Sequence, residues 1–207
     1  MWMSQSIMVN ASELIEQLCE QGWYYQQNVI PGEWVTALAD LCHKRTFLQA
    51  GIGQGIKNII NEAIRSDSIS WIDPRETEPA VVYYLSLVDE IQQLLNREFY
   101  LGLNGFEGHF SRYPQGAFYK PHYDCFAQDK RRAVTLIFYI NQNWQPENGG
   151  QLCLHLPEGQ KIIEPVAGSM ICFLSEQILH EVLPTHVERM ALTGWFVRHQ
   201  GQDYFYS

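Results

Sequence analysis

Two regimes of apolar spacing divide the chain. Up to about residue 104 the apolar residues recur at helical intervals. Leu14, Ile15 and Leu18 share one face of a first helix that Gly22 is suited to stop. A second helix opens at Pro31-Gly-Glu-Trp-Val, with Trp34, Leu38 and Leu41 at near-helical spacing. A third runs from Glu78 to Leu95, with Val81, Tyr84, Leu85, Val88, Ile91 and Leu95 on its apolar side. The glycine-rich stretch from Gly51 to Pro74 is too irregular for a helix and reads as a loop or hairpin, long enough to be functional. From Phe106 the period shifts towards two. Strands are predicted at Glu107–Tyr113, Ala133–Ile140, Gln151–Leu156, Lys161–Val166, Met170–Leu174, His180–Leu183 and Ala191–Val197. Asn148-Gly149-Gly150 and Ala167-Gly168-Ser169 mark turns between them. Short strands at this spacing point to a sandwich or jelly roll, and helices first with strands after predict an α+β fold. In it, N-terminal helices pack on one face of a β core. The expectation is one domain over 1–207, with supporting helices and a substrate loop in 1–104 and the core in 105–200.

Composition narrows the function classes. The chain has 207 residues, 46% hydrophobic, 18% charged, with a net charge of −9. Such an acidic chain is repelled by phosphate, which argues against nucleic acid and anionic membranes as partners. No apolar run approaches the length of a membrane span. The start, MWMSQSIMVNASELIEQ, lacks a basic n-region and a long apolar h-region, so no secretion signal is expected. The five scattered cysteines form no CxxC pair, which disfavours a disulfide framework or a cysteine zinc site and suits reduced thiols in the cytoplasm.

The chemistry begins at His122-Tyr123-Asp124. On an extended segment, alternate residues share a face, so imidazole and carboxylate point the same way. His180 follows at the head of a predicted strand of the same core. Two histidines and one carboxylate on one side of a metal leave positions open, the arrangement of non-haem Fe(II) oxygenases. Arg189 lies nine residues past His180. Its guanidinium fork suits a bidentate grip on a carboxylate, such as the distal end of 2-oxoglutarate. His43, His109, His155, His186 and His199 carry no such partner pattern and are not assigned to metal.

Taken together, four stretches carry a family resemblance: Tyr113-Pro-Gln-Gly-Ala-Phe-Tyr-Lys-Pro-His122-Tyr-Asp124, Val134-Thr-Leu-Ile-Phe-Tyr139, Gly149-Gly-Gln-Leu, and His180-Glu-Val with Arg189-Met-Ala-Leu-Thr-Gly-Trp195. They resemble the 2-oxoglutarate- and Fe(II)-dependent prolyl hydroxylases, above all the oxygen-sensing branch and its bacterial relatives. Ile64-Arg65-Ser-Asp67-Ser-Ile-Ser-Trp71 is similar to the substrate-covering loop of that branch. The resemblance implies a double-stranded β-helix. It also implies Fe(II) on His122, Asp124 and His180, and 2-oxoglutarate held by Arg189 and Tyr139, with Thr193 in the same pocket. Tyr113 would bond near the chelating end, and Trp195 would wall the prolyl pocket. Arg132 and the Arg65–Asp67 pair would meet the substrate peptide. O2 is the implied oxidant and ascorbate a candidate stimulant. The implied partner is a protein carrying a target proline, with elongation factor Tu the first candidate, and the enzyme is expected to act as a monomer. Two alternatives stay open: an oxygenase of small molecules, and a jelly-roll iron sensor without turnover.

Overall fold

The computed structural model describes residues 8–51, 61–125 and 130–198. Its elements, in order, are α1 (Ala11–Gln21), β1 (Trp23–Gln26), α2 (Gly32–Lys44), β2 (Leu48–Gln49), β3 (Ser68–Trp71), α3 (Pro79–Phe99), β4 (Gly105–Tyr113), β5 (Tyr119–His122) and β6 (Arg132–Tyr139). There follow β7 (Leu152–Leu156), β8 (Gly159–Ile163), β9 (Met170–Leu174), β10 (Leu179–Val182) and β11 (Arg189–Val197). The helix boundaries have local causes. Asn10 caps α1 by accepting from the Glu13 amide, and Gly22 ends it in the left-handed region at φ 79°. Pro79 opens α3, where a missing N–H costs nothing.

The strands form two antiparallel sheets. One has seven strands in the order β1-β9-β6-β11-β4-β3-β2, the other four in the order β5-β10-β7-β8. The helices pack on the outer face of the larger sheet. There Leu14, Leu38, Tyr84, Val88 and Ile91 meet Phe110, Val134, Leu136, Phe138, Leu192 and Phe196 in one cluster. Gly108 and Gly194 leave room for the Phe106 ring, and a Cβ at 194 would sit 2.2 Å from Phe106 Cζ. A second cluster, with Ile137, Tyr139, Leu152, Leu154, Phe173 and Ala191, fills the space between the two sheets. Helices on one side and two facing antiparallel sheets are the predicted α+β jelly roll.

Several expectations are corrected in detail. The core face of α2 is Val35, Leu38, Ala39 and Cys42, while Trp34 instead stacks on Tyr83 of α3 at 4.5 Å. In α3, Leu87 and Leu94 are core and Leu85 is only partly buried. Of the loop or hairpin expected over Gly51–Pro74, the hairpin is the better description: β3 pairs antiparallel with β2 at Leu48↔Ile69, and on its other edge with β4 from Ser68↔Arg112 to Trp71↔His109. The strand expected at Lys161–Val166 runs instead from Gly159 to Ile163. The short β1, laid antiparallel on β9, has no counterpart among the predicted elements. The glycine-rich 52–60 and His199 lie outside the described residues.

Candidate active site

Between the two sheets, three side chains converge. His122 ends β5 and is the cross-strand partner of His180 on β10. Asp124 follows two residues on. One ligand atom from each lies within 4.8 Å of the others. His122 Nε2 and His180 Nε2 are each 3.6 Å from an oxygen of Asp124. The opposite ring nitrogens settle the tautomers. His122 Nδ1 contacts the Lys120 carbonyl at 2.8 Å and His180 Nδ1 the Ile178 carbonyl at 3.0 Å. A carbonyl can only accept, so each Nδ1 bears a proton, and in the neutral ring Nε2 is then left with its lone pair towards the centre. Tyr119 stacks on His122 at 3.5 Å and Phe173 meets His180 edge-on at 4.7 Å, which fixes both rings.

Electrostatics favour a neutral His180 and an ionised Asp124. Burial, then the neighbouring His122, pulls His180 down to about 4, so its imidazole is neutral near pH 7. Burial opposes the charged form of Asp124, but His180 and His122 outweigh it and hold the carboxyl well below the usual range. Thr135 donates to Asp124 Oδ2 at 2.8 Å, and since its one proton is spent there, Ser175 must donate to Thr135.

Arg189 opens β11 at the far side of the cavity. It is 2% exposed, and Nε donates to the Gly150 carbonyl at 2.8 Å. Its guanidinium lies 4.8 Å from the Tyr113 ring centroid and 5.2 Å from that of Tyr139. No carboxylate pairs with it among the described residues. The approach depends on Gly150, which has φ 64° and whose Cβ would stand 3.0 Å from Arg189 Cδ. Tyr139 is fully buried, and among the described residues its hydroxyl has no partner in hydrogen-bond geometry. Burial pushes that phenol up to about 12 against the pull of Arg189, so it is a donor in search of an acceptor.

The cavity is lined by Arg65, Trp71, His109, Tyr113, Tyr119, Arg132, Thr193 and Trp195 besides the ligand triad. Asp124 is the lone acid in that lining. Arg132 stacks on Trp195 at 3.5 Å and pairs with Glu107 at 3.1 Å. Arg65 forks onto Asp67 with bonds of 2.8 and 2.6 Å and lies over the Tyr119 ring.

These features fit an iron ion and a dicarboxylate. Three neutral or anionic donors face one point. Beyond them stand a buried cation without a carboxylate and a buried phenol without an acceptor. The comparisons agree. Residues 108–197 match the model of the 2OG-Fe(II) oxygenase superfamily. A Pseudomonas putida prolyl-4-hydroxylase is 40% identical, with a TM-score of 0.84 over 92% of this chain and 100% of that one. The chain is a 2OG-Fe(II) oxygenase of the prolyl hydroxylase family. A prolyl hydroxylase from Trichoplax adhaerens, in complex with a hypoxia inducible factor oxygen degradation domain peptide, is 27% identical with a TM-score of 0.82, covering 95% of this chain and 93% of that one. Prolyl hydroxylase EGLN3 of Homo sapiens is 28% identical over 195 residues, 88% of this chain and 81% of that protein.

Iron and 2-oxoglutarate, when bound to this prolyl hydroxylase, supply the power to convert a C–H bond and O2 to a hydroxyl group, with succinate and CO2 as co-products. The structure brings His122, Asp124, His180, Arg189, Tyr113, Thr193, Arg65, Arg132 and Trp195 to one cavity. Tyr139 lies beside the Arg189 guanidinium and is not part of the lining itself. Asp67 departs from expectation. It is 1% exposed and absent from the cavity wall, where it anchors Arg65 through its paired carboxylate. The Arg65 segment is also tied down: the Ser66 amide donates to Phe118 and the Lys120 amide to Ile64. Sequence reasoning missed His109, Tyr119 and Trp71. The alternation of β4 was a usable signal for His109, because it places residues 109 and 113 on one face.

Proposed function

We propose that this oxygenase hydroxylates C4 of a prolyl residue in a protein substrate, converting 2-oxoglutarate to succinate and CO2. The buried Arg189, which has no carboxylate partner among the described residues, carries the reading. An isolated cation in the interior is costly, and a ligand carboxylate bound there relieves that cost. An iron sensor without turnover has no need of such a clamp beside its ligand triad.

In this proposal His122, Asp124 and His180 hold Fe(II). Arg189 and the Tyr139 hydroxyl receive the distal carboxylate, Thr193 lines that pocket, and Tyr113 hydrogen-bonds nearer the metal. Trp195 walls the space for the prolyl ring. Arg132 keeps Trp195 flat beneath its guanidinium and, with Arg65, faces the incoming peptide. Two arginines at the mouth of an acidic protein give a peptide backbone donors to meet, and the aromatic wall excludes water from the reacting carbon. Ascorbate is a candidate stimulant. The protein acts as a monomeric unit in the cytoplasm, and elongation factor Tu is the first substrate to try. Incubation with Fe(II), 2-oxoglutarate and a bacterial proteome, followed by mass mapping of single-oxygen additions, tests this. Oxygen added to prolyl residues supports the proposal. Succinate release driven by free small molecules, with no modified protein, refutes it.

A further inference from the structure

The smaller sheet carries chemistry on both of its faces. Along β7, Leu152 and Leu154 point between the sheets, so Cys153 and His155 share the outer face. Along β10, His180 points inward and Glu181 outward. Glu181 is the cross-strand partner of Cys153 and stands diagonal to His155. The Cys153 thiol, one His155 ring nitrogen and a Glu181 carboxylate oxygen all lie within 4.8 Å of one another. His155 Nε2 donates to Glu181 Oε1 at 2.9 Å. Cys153 is buried, while the side chains of His155 and Glu181 are 24% and 22% exposed, so the cluster opens to solvent through those two.

We propose that Cys153, His155 and Glu181 form a second metal site, for Zn2+ or a similar divalent ion, on the face of the sheet opposite the iron centre. A thiolate, an imidazole and a carboxylate are the ligands that Zn2+ prefers, and a tetrahedral ion would keep its fourth position for water. Bonds of about 2.0–2.3 Å put two donors of one ion roughly 3.5–4 Å apart, so side-chain rotation alone closes the present spread. On binding, the Cys153 thiol proton leaves to solvent, and the His155 proton moves from Nε2 to Nδ1 so that Nε2 can bind. Burial and Glu181 push the free thiol upward, which keeps it protonated until a cation replaces that proton. Sulfur distinguishes this site from the iron triad, which offers nitrogen and oxygen alone.

That difference gives the test. Apoprotein is titrated with Co2+ and followed by absorption. Two equivalents should bind, one of them raising a thiolate-to-cobalt band in the near ultraviolet that added Zn2+ removes. Cys153→Ser should remove the band and one equivalent. His122→Ala should remove the other equivalent and keep the band, and Cys125→Ser should keep both. A wild-type protein without the band overturns the proposal, as does a band that survives Cys153→Ser or disappears in Cys125→Ser. Should Cys153→Ser fail to fold, His155→Ala and Glu181→Gln replace it, each expected to weaken the sulfur-linked cobalt by about tenfold or more. Unchanged affinity in both is equally fatal.

Discussion

The two faces of the larger sheet are built from the same strands and follow opposite rules. On β11, Leu192 and Phe196 face the helices, while Arg189, Thr193 and Trp195 face the cavity. On β6, Val134, Leu136 and Phe138 face the helices, while Thr135 and Tyr139 lie on the other side. The helix side is close to wholly apolar. The cavity side holds buried donors without partners at His109 Nδ1, Tyr139 Oη and Trp195 Nε1. Among the described residues the helix side has one such atom, Tyr84 Oη, whereas those on the cavity side stand beside the proposed ligand site, where a ligand can complete them. One face therefore supplies stability and the other spends some of it on readiness to bind.

That contrast can be broken residue by residue. The largest effect is expected on the cavity side, at the triad. His180→Ala or Asp124→Ala should abolish succinate release and iron retention together, while far-ultraviolet dichroism stays native. Full succinate production by either variant contradicts the ligand assignment. Next comes Arg189→Ala, with Arg189→Lys milder because a point charge replaces a fork. Loss of one partner of a buried charge pair costs about 2–5 kcal/mol, so the 2-oxoglutarate requirement should rise by roughly 30-fold or more in the alanine variant. Co-substrate titration reads this directly.

On the helix side the outcome should invert. Phe196→Ala should lower unfolding stability by about 3–5 kcal/mol, measured by denaturant, with the 2-oxoglutarate requirement of the folded fraction unchanged. Arg65→Ala tests a mixed position. It leaves Asp67 buried and unpaired, so a loss on the order of 3 kcal/mol should accompany any weaker use of a protein substrate. Arg132→Ala, whose partner Glu107 is more exposed, should change the protein-substrate KM with little loss of stability. A last effect is confined to acid pH and appears as a slope. Burial pulls His109 from 6.5 to about 3, so the unfolded chain binds its proton first as pH falls. Its contribution is full above pH 6.5 and is lost as pH drops towards 3. In apoprotein, His109→Phe should flatten the fall in melting temperature over that window, and an unaltered slope would show that His109 is not buried in its neutral form.

The sequence showed the apolar side of this sheet more readily than the polar one. Alternation located β4, β6, β7, β9 and β11 to within two residues, because each has a continuous buried face. It missed β1, and gave β3 only as part of a loop or hairpin, because both are four residues long and depend on tertiary pairing with β9 and β4. The face of α2 was offset because Trp34, the largest apolar residue there, finds a partner in Tyr83 and stays out of the core. The ligand triad and Arg189 were legible from residue type and order. Asp67 was misplaced because a buried ion pair and a surface one read alike in a sequence. The mouth residues Tyr119 and Trp71 come from short strands whose existence had to be known first.

The Gly149-Gly150 turn shapes what a mutational map of this enzyme will look like. Gly150 pins the arginine through its carbonyl and admits the arginine stem only because it lacks a side chain. Substitutions at 150 will therefore phenocopy loss of the clamp, although the residue carries no functional group of its own. A saturation library will score it as a co-substrate position, and selection for altered keto-acid preference will recover changes in this backbone turn alongside changes in the cation that it holds.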